Sequence, residues 1–185
     1  GSIGLPLTDV DARIVSLEDE KTDLPPGEPG ELIIQGPQLM QGYHNLPQET
    51  ALALRDGWLY TGDIARMDED GYFYLVDRKK DVIKVGGLQV WPREVEEIIA
   101  VHPSVSEVAV GGVMHPQYGE TVKAWVVLKP EHNLSREEII AWCKARISDY
   151  KAPRQVEFIA QLPRTTVGKV LRRELIRQHN EIENR

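Results

Sequence analysis

Three short segments of this chain carry side chains whose types and spacing suit small-molecule chemistry. Tyr60-Thr61-Gly62-Asp63 ends on a carboxylate behind a glycine, and such a carboxylate can accept two hydrogen bonds from the diol of a ribose. An aspartate at a turn glycine is also common because its side chain bonds its own turn, and the segment alone favours that plainer reading. The run from Asp77 to Glu96 is the second segment. Its Arg78 offers a planar fork of donors for hydroxyl or phosphate oxygens. Lys79 and Lys80 read most simply as a solvated charge pair, while the bare backbone of Gly86-Gly87 lets a narrow ligand pass close. Pro163-Arg164-Thr165-Thr166-Val167-Gly168-Lys169 is the third. Its lysine is a mobile point charge suited to phosphate or carboxylate, though alone it reads as an ordinary surface residue. A phosphate loop of the Gly-Lys-Ser/Thr kind is excluded: its first glycine is absent, and Val170 stands where a hydroxyl would bind magnesium.

The elements that must hold these segments change character along the chain. Residues 9 to 16 alternate apolar and polar side chains, as a half-buried strand does. Pro25 to Gly30 is dense turn punctuation, and Glu31 to Gly36 is a short apolar strand. Pro47 to Thr50 opens a short helix with Ala51, Leu52 and Leu54 as its apolar side. Trp58 to Asp63 is predicted as a strand ending in a turn, and Asp68 to Gly71 as a hairpin turn before the strand Tyr72 to Val76. Many short strands with Gly/Pro turns predict a small β-barrel-like subdomain.

The second half reads as α+β: a hairpin plus a three-stranded sheet with packed helices. Val82–Val85 and Leu88–Val90 flank a two-residue turn at Gly86-Gly87. Pro92 suits the first helical position, and Val95, Ile98 and Ile99 form one stripe behind it. Val108 with Val110, the alternating Val122, Ala124, Val126 and Leu128, and Val156 to Ile159 read as strands. Ser135 and Glu138 form a capping box for a helix lined by Ile139, Ile140, Cys143 and Ile147, which makes Cys143 a core residue rather than a nucleophile. A last helix over Val170 to His179 carries Leu171, Leu175 and Ile176 on one side, with a frayed tail from Glu181 to Arg185. The change of element type near residue 80 predicts two domains, 1–79 and 80–185. With no long linker between them, any motion would fall on a few backbone torsions.

Composition narrows the function. With 22 Lys and Arg against 29 Asp and Glu, the net charge of -7 disfavours a nucleic-acid module built on Arg78-Lys79-Lys80. A single cysteine forbids an internal disulfide and points to a cytoplasmic setting, with peripheral contact at a membrane as the variant of that expectation. No apolar run approaches the roughly 18 residues of a membrane span. The chain opens Gly1-Ser2-Ile3 without methionine, as an excised piece would.

Taken in order, Tyr60 to Asp63, Asp77 to Asp81 with Gly87 and Pro92 to Glu96, and Pro163 to Lys169 resemble the last motifs of the AMP-forming acyl-CoA synthetases, the adenylate-forming superfamily. Gly30-Glu31-Leu32 with Gly36, Gly42-Tyr43, Pro47 and Thr50 resembles the motif that precedes them. Tyr150-Lys151-Ala152-Pro153 with Leu162-Pro163 resembles the one before the terminal lysine. The resemblance covers essentially the whole chain. It implies that ATP and a carboxylate form an acyl-adenylate, that the acyl group then passes to coenzyme A, and that the C-terminal domain rotates between the steps. By the same resemblance, Asp63 matches the aspartate that binds the ribose hydroxyls and Arg78 an arginine holding the same nucleotide. Lys80 matches the hinge and Lys169 the lysine bridging carboxylate and phosphate. Gly87, with Gly86 beside it, matches the glycine lining the pantetheine tunnel. Lys84 matches a lysine that enters the site after rotation.

Gly168-Lys169-Val170-Leu171-Arg172-Arg173 leans towards medium- or long-chain fatty acid ligases, so the expected substrate is a fatty acid. Aryl-acid and other carboxylate–CoA ligases, or a non-catalytic binding module retaining the fold, are the alternatives. The family's phosphate loop, acyl pocket and the Thr-Glu motif serving Mg2+ have no counterpart here. The expectation is therefore the final third of an enzyme, acting with the remainder of that enzyme, inactive alone and without a metal site of its own.

Overall fold

Alternation over residues 11–15 builds the edge strand β1 (Asp11–Val15), which pairs antiparallel with β2 (Gly30–Gln35) and turns Ile14 and Val15 inward. A short helix α1 (Pro47–Ala53) leads into β3 (Leu54–Arg55) and the long β4 (Trp58–Met67), which returns through Asp68–Gly71 to β5 (Phe73–Arg78). The Asp68 carboxylate closes that turn by accepting the amides of Asp70 and Tyr72 at 3.1 and 2.9 Å. The order β1-β2-β4-β3, with β5 also on β4, makes an open, barrel-like sheet over a small core of Ile14, Leu32, Ala65 and Phe73.

Two details differ from the sequence reading. The strand that begins at Trp58 does not end at Asp63 but continues to Met67, with a register shift between Ile64 and Ala65. Its ladder to β2 and β5 supplies backbone partners on both sides, and these outweigh the local turn signal. The apolar side of α1 is not covered within this unit: none of its residues is buried, and Leu52 stays 66% exposed.

The structure, a computed structural model, describes residues 1–183 and divides between Lys80 and Asp81 into two units. A single 3₁₀ turn, Lys79–Asp81, carries the chain across that division.

In the second unit, β6 (Ile83–Val85) and β7 (Leu88–Val90) pair about Gly86 and Gly87, whose φ of 57° and 87° fit the two-residue hairpin turn. Helix α2 (Pro92–Ala100) starts on its proline and precedes β8 (Val105–His115) and β9 (Gly119–Leu128). Helix α3 (Arg136–Lys144) begins with the full Ser135–Glu138 capping box. Strand β10 (Gln155–Phe158) lies parallel to β9, and α4 (Arg172–Glu183) ends the described chain. The last helix thus starts after Leu171, which is 39% exposed, and its regular turns include Glu181 to Glu183. The remainder of the tail expected to fray, Asn184 and Arg185, lies outside the described residues.

The hairpin is not separate from the three-stranded sheet. A bridge from Val85 to Gly119 joins them in the order β10-β9-β6-β7, with β8 on β9. Strand β9 is buried on both sides. Val122, Ala124 and Val126 pack with Val95, Ile99, Ile139 and Cys143, while Trp125 packs with Leu162 and Leu175. Burial pushes the Cys143 thiol up to about 11, so it stays protonated as a core residue. Among the described residues no helix is long and apolar enough to cross a membrane.

On the α4 side the buried Lys123 meets Nδ1 of His179 at 2.9 Å and Glu157 at 2.7 Å. Burial, and then the Lys123 charge, hold His179 below its ordinary value, against smaller opposite pulls from Glu183 and Glu157. The unfolded chain takes up a proton near pH 6.5 that the folded chain resists. Stability from this group is therefore full above about pH 6.5 and falls as pH drops through it, by at most about 1.4 kcal/mol per pH unit. Urea unfolding between about pH 7 and 5.5 should give a falling midpoint, and His179→Gln should flatten that part of the profile. An equally steep profile in the variant contradicts the assignment.

Candidate functional site

Strand register brings the first pair together. Asp63 on β4 lies directly opposite Arg78 on β5, and Arg78 Nε donates to Asp63 Oδ1 at 2.9 Å. Gly62 takes φ of 70°, which bends β4 there at no side-chain cost. The Thr61 hydroxyl fastens the bend by donating to the Leu32 carbonyl at 2.7 Å and accepting the Asp63 amide at 3.1 Å. The Asp63 carboxylate thus faces Arg78 rather than bonding its own turn, contrary to the plainer sequence reading. Its side chain is 29% exposed and that of Arg78 is 56% exposed, so both remain reachable. Thr61, Gly62 and Arg78 line an open cleft of about 870 Å³ whose other walls include Tyr43, Leu46 and Leu52.

A charge network lies under this pair. Glu31 on β2, only 2% exposed, accepts the Gly62 amide at 3.1 Å and Lys79 Nζ at 2.6 Å. Lys79 also donates to Glu20, which takes Arg55 at 2.5 Å. Burial works against the Lys79 charge, but the bonds to Glu20 and Glu31 outweigh it and raise its pKa. Hydrogen bonds from Lys79 and then Arg55 hold Glu20 below its ordinary value. Lys79 is therefore not half of a solvated pair. Lys80 is the exposed member, and its ammonium has no partner among the described residues.

The other candidates belong to the second unit. Gly86 and Gly87 form the β6–β7 turn, where the Gly86 amide donates to the Tyr118 carbonyl at 3.0 Å. No protein atom lies within 4 Å of where a Gly87 Cβ would stand, so its backbone is open to a ligand. Lys84 lies just before the turn, exposed, with its amide held by Glu120 at 2.8 Å. Lys169 closes a tight loop before α4: Thr165 N donates to its carbonyl at 2.8 Å, and its own amide donates to Thr165 Oγ1 at 3.1 Å. Arg164 braces the loop through the Gly168 carbonyl and Glu107, each at 2.7 Å. The Lys169 ammonium is exposed and has no protein partner among the described residues. A preset loop carrying a free cation can meet an anion with little ordering cost.

Asp63 and Arg78 therefore form one site, and Lys84, Gly86 and Gly87 share one hairpin. No hydrogen bond or ion pair joins Lys169 to that hairpin among the described residues. The sequence reading missed Glu31 as a supporting residue. Its signal was a lone carboxylate heading an apolar run, Leu32-Ile33-Ile34. It also missed Arg172, which grips Asp81 and Glu96, each at 2.8 Å. No local pattern announces that grip, because its partners stand 91 and 76 residues apart.

Residues 94–169 match the model of the AMP-binding enzyme C-terminal domain, and residues 1–44 match that of the AMP-binding enzymes. A long-chain-fatty-acid–CoA ligase of Bacillus subtilis (strain 168) is 50% identical over 181 residues, 98% of this chain and 32% of the relative. A feruloyl-CoA synthase of an Amycolatopsis species is 43% identical over 178 residues, 96% of this chain and 36% of the relative. The crystal structure of ATP-bound MatB from Rhodopseudomonas palustris superposes with a TM-score of 0.92 at 34% identity, over 98% of this chain and 36% of that one. This chain spans about a third of the length of the curated relatives it matches.

The two charge sets should respond differently to mutation. Asp63→Ala removes a solvent-exposed pair and is expected to cost at most about 1 kcal/mol of folding stability. Lys79→Met strands the buried Glu31 carboxylate and is expected to cost about 2–3 kcal/mol. Urea denaturation of both variants checks this, and equal losses would contradict the division into reachable and supporting charges.

Proposed function

We propose that this chain carries the ribose-binding and coenzyme A-facing parts of an AMP-forming fatty acid–CoA ligase, a reading its matches to the AMP-binding enzyme models support. The observation that carries the proposal is the Asp63–Arg78 pair beside the cleft. Only one Asp63 oxygen is engaged by the protein among the described residues, which leaves Oδ2 to accept from a ribose hydroxyl. Arg78 has donors left for the second hydroxyl or a phosphate oxygen.

Adenylation joins a substrate carboxylate oxygen to the α-phosphorus of ATP and expels pyrophosphate. Negative charge builds between the two reacting anions, so an unpaired ammonium such as that of Lys169 stabilises the transition state electrostatically. In the second step the thiol sulfur of coenzyme A takes the acyl carbon, the thiol proton is lost and AMP leaves. That step needs no cation bridging two anions. It needs a narrow approach, and the bare backbone of Gly86-Gly87, with Lys84 beside it, suits the pantetheine arm. One unit carries both devices, and alternation about Lys80 lets each serve in turn.

Mg2+ neutralises phosphate charge in such reactions. Among the described residues no group of three or more His, Cys, Asp or Glu side chains is placed to hold a metal. Identity to the Bacillus ligase supports a long-chain acid. The lower identity to the feruloyl enzyme makes an aryl acid the second reading. A buried reduced cysteine suits a cytoplasmic enzyme.

In the full-length enzyme, Lys169→Ala should lower ATP–pyrophosphate exchange with palmitate by about 10²–10³-fold. It should leave thioester formation from supplied palmitoyl-adenylate near wild type. Equal loss in both half-reactions contradicts the two-device account. Lys80→Pro should show the reverse pattern, keeping exchange and losing thioester formation.

A further inference from the structure

Glu31 lines the cleft and makes no hydrogen bond or ion pair with Asp63 or Arg78, yet it is bonded to the chain neighbour of each. Its Oε1 accepts the amide of Gly62, the residue before Asp63, at 3.1 Å. Its Oε2 accepts Nζ of Lys79, the residue after Arg78, at 2.6 Å. The side chain is 3% exposed, so water cannot substitute for either partner. The two contacts straddle the antiparallel register: Gly62 belongs to β4 and Lys79 follows the end of β5, while Asp63 and Arg78 face each other between them. Glu20 and Arg55 hold Lys79 from its other side, so the tether ends in a fixed group rather than a swinging one.

We propose that Glu31 is a positioning residue for nucleotide recognition, setting through Gly62 and Lys79 the separation and aim of the Asp63 carboxylate and the Arg78 guanidinium. This rests on the reading of Asp63 as the ribose acceptor. Without Glu31 the Gly62 amide loses its side-chain acceptor and Lys79 loses a buried anion. The bend in β4 then keeps only its Thr61 fastening and Lys79 only its contact with Glu20, so Asp63 and Arg78 are still paired but less firmly aimed. The specific consequence is loss of ribose discrimination, not merely loss of stability.

The test compares ATP with 2′-deoxy-ATP in pyrophosphate exchange by the full-length enzyme with palmitate. Wild type should prefer ATP by about tenfold in kcat/KM, the worth of one hydrogen bond to a charged group. Asp63→Ala should abolish the preference. Glu31→Ala should shrink it to about twofold with the KM for palmitate unchanged. Glu31→Gln keeps the volume and the acceptor for Gly62 but not the pair with Lys79. It should give an intermediate preference, and it serves as the measured arm if Glu31→Ala does not fold. Loss of the preference in Asp63→Ala with a full preference in both Glu31 variants, or in Glu31→Gln alone if only that variant folds, overturns the positioning role. A full preference in Asp63→Ala overturns the ribose assignment on which that role rests.

Discussion

The carboxylate of Glu31 sits on β2 where almost no water reaches it, and a charge in that position persists only if protein groups replace its hydration. The replacements are the Gly62 amide and the Lys79 ammonium, and their locations are what organise the first unit. Gly62 must bend inside a continuous strand to present its amide. Lys79 must turn back at the end of β5, where the 3₁₀ turn begins. Once both are placed, Asp63 and Arg78 are left opposite each other at the cleft, partly exposed and with bonding capacity to spare. The apolar core of this unit is small, so a charged anchor has unusual leverage over its geometry.

The second unit divides its charges the same way. Arg172 is gripped by Asp81 and Glu96, and Glu96 also accepts the Val110 amide at 2.8 Å, which ties the start of α4 to α2 and β8. Lys123 is sealed between His179 and Glu157 under α4. Against these tied charges stand Lys84 and Lys169, exposed and unpaired among the described residues. A cation in water costs nothing to keep, and when its backbone is preset by a loop or hairpin it can be offered to an anion without reorganising the fold. The hydrogen bonds of Thr165 and the brace from Arg164 supply that presetting for Lys169.

What the amino-acid sequence determined by itself is everything specified within a few residues. The Ser135–Glu138 capping box, the Gly86-Gly87 turn, Pro92 at the head of α2 and Cys143 in the core follow from side-chain chemistry and periodicity at short range. The ordered motifs likewise single out Asp63, Arg78 and Lys169 as candidates. Tertiary structure alone decided the rest. Lys79 looks like a solvated neighbour of Lys80 until Glu31 and Glu20, 48 and 59 residues away, are folded against it. Strand β4 passes through Asp63 because β2 and β5 offer hydrogen bonds on both sides, a pull no local turn signal can register. Strand β9 alternates like a half-buried strand, yet α4 returns from the far end of the chain to cover its second face. Burial and ion pairing depend on which distant segments meet. For a charged residue those meetings separate an anchor from a free hand, because only contact with other segments removes water from its charge.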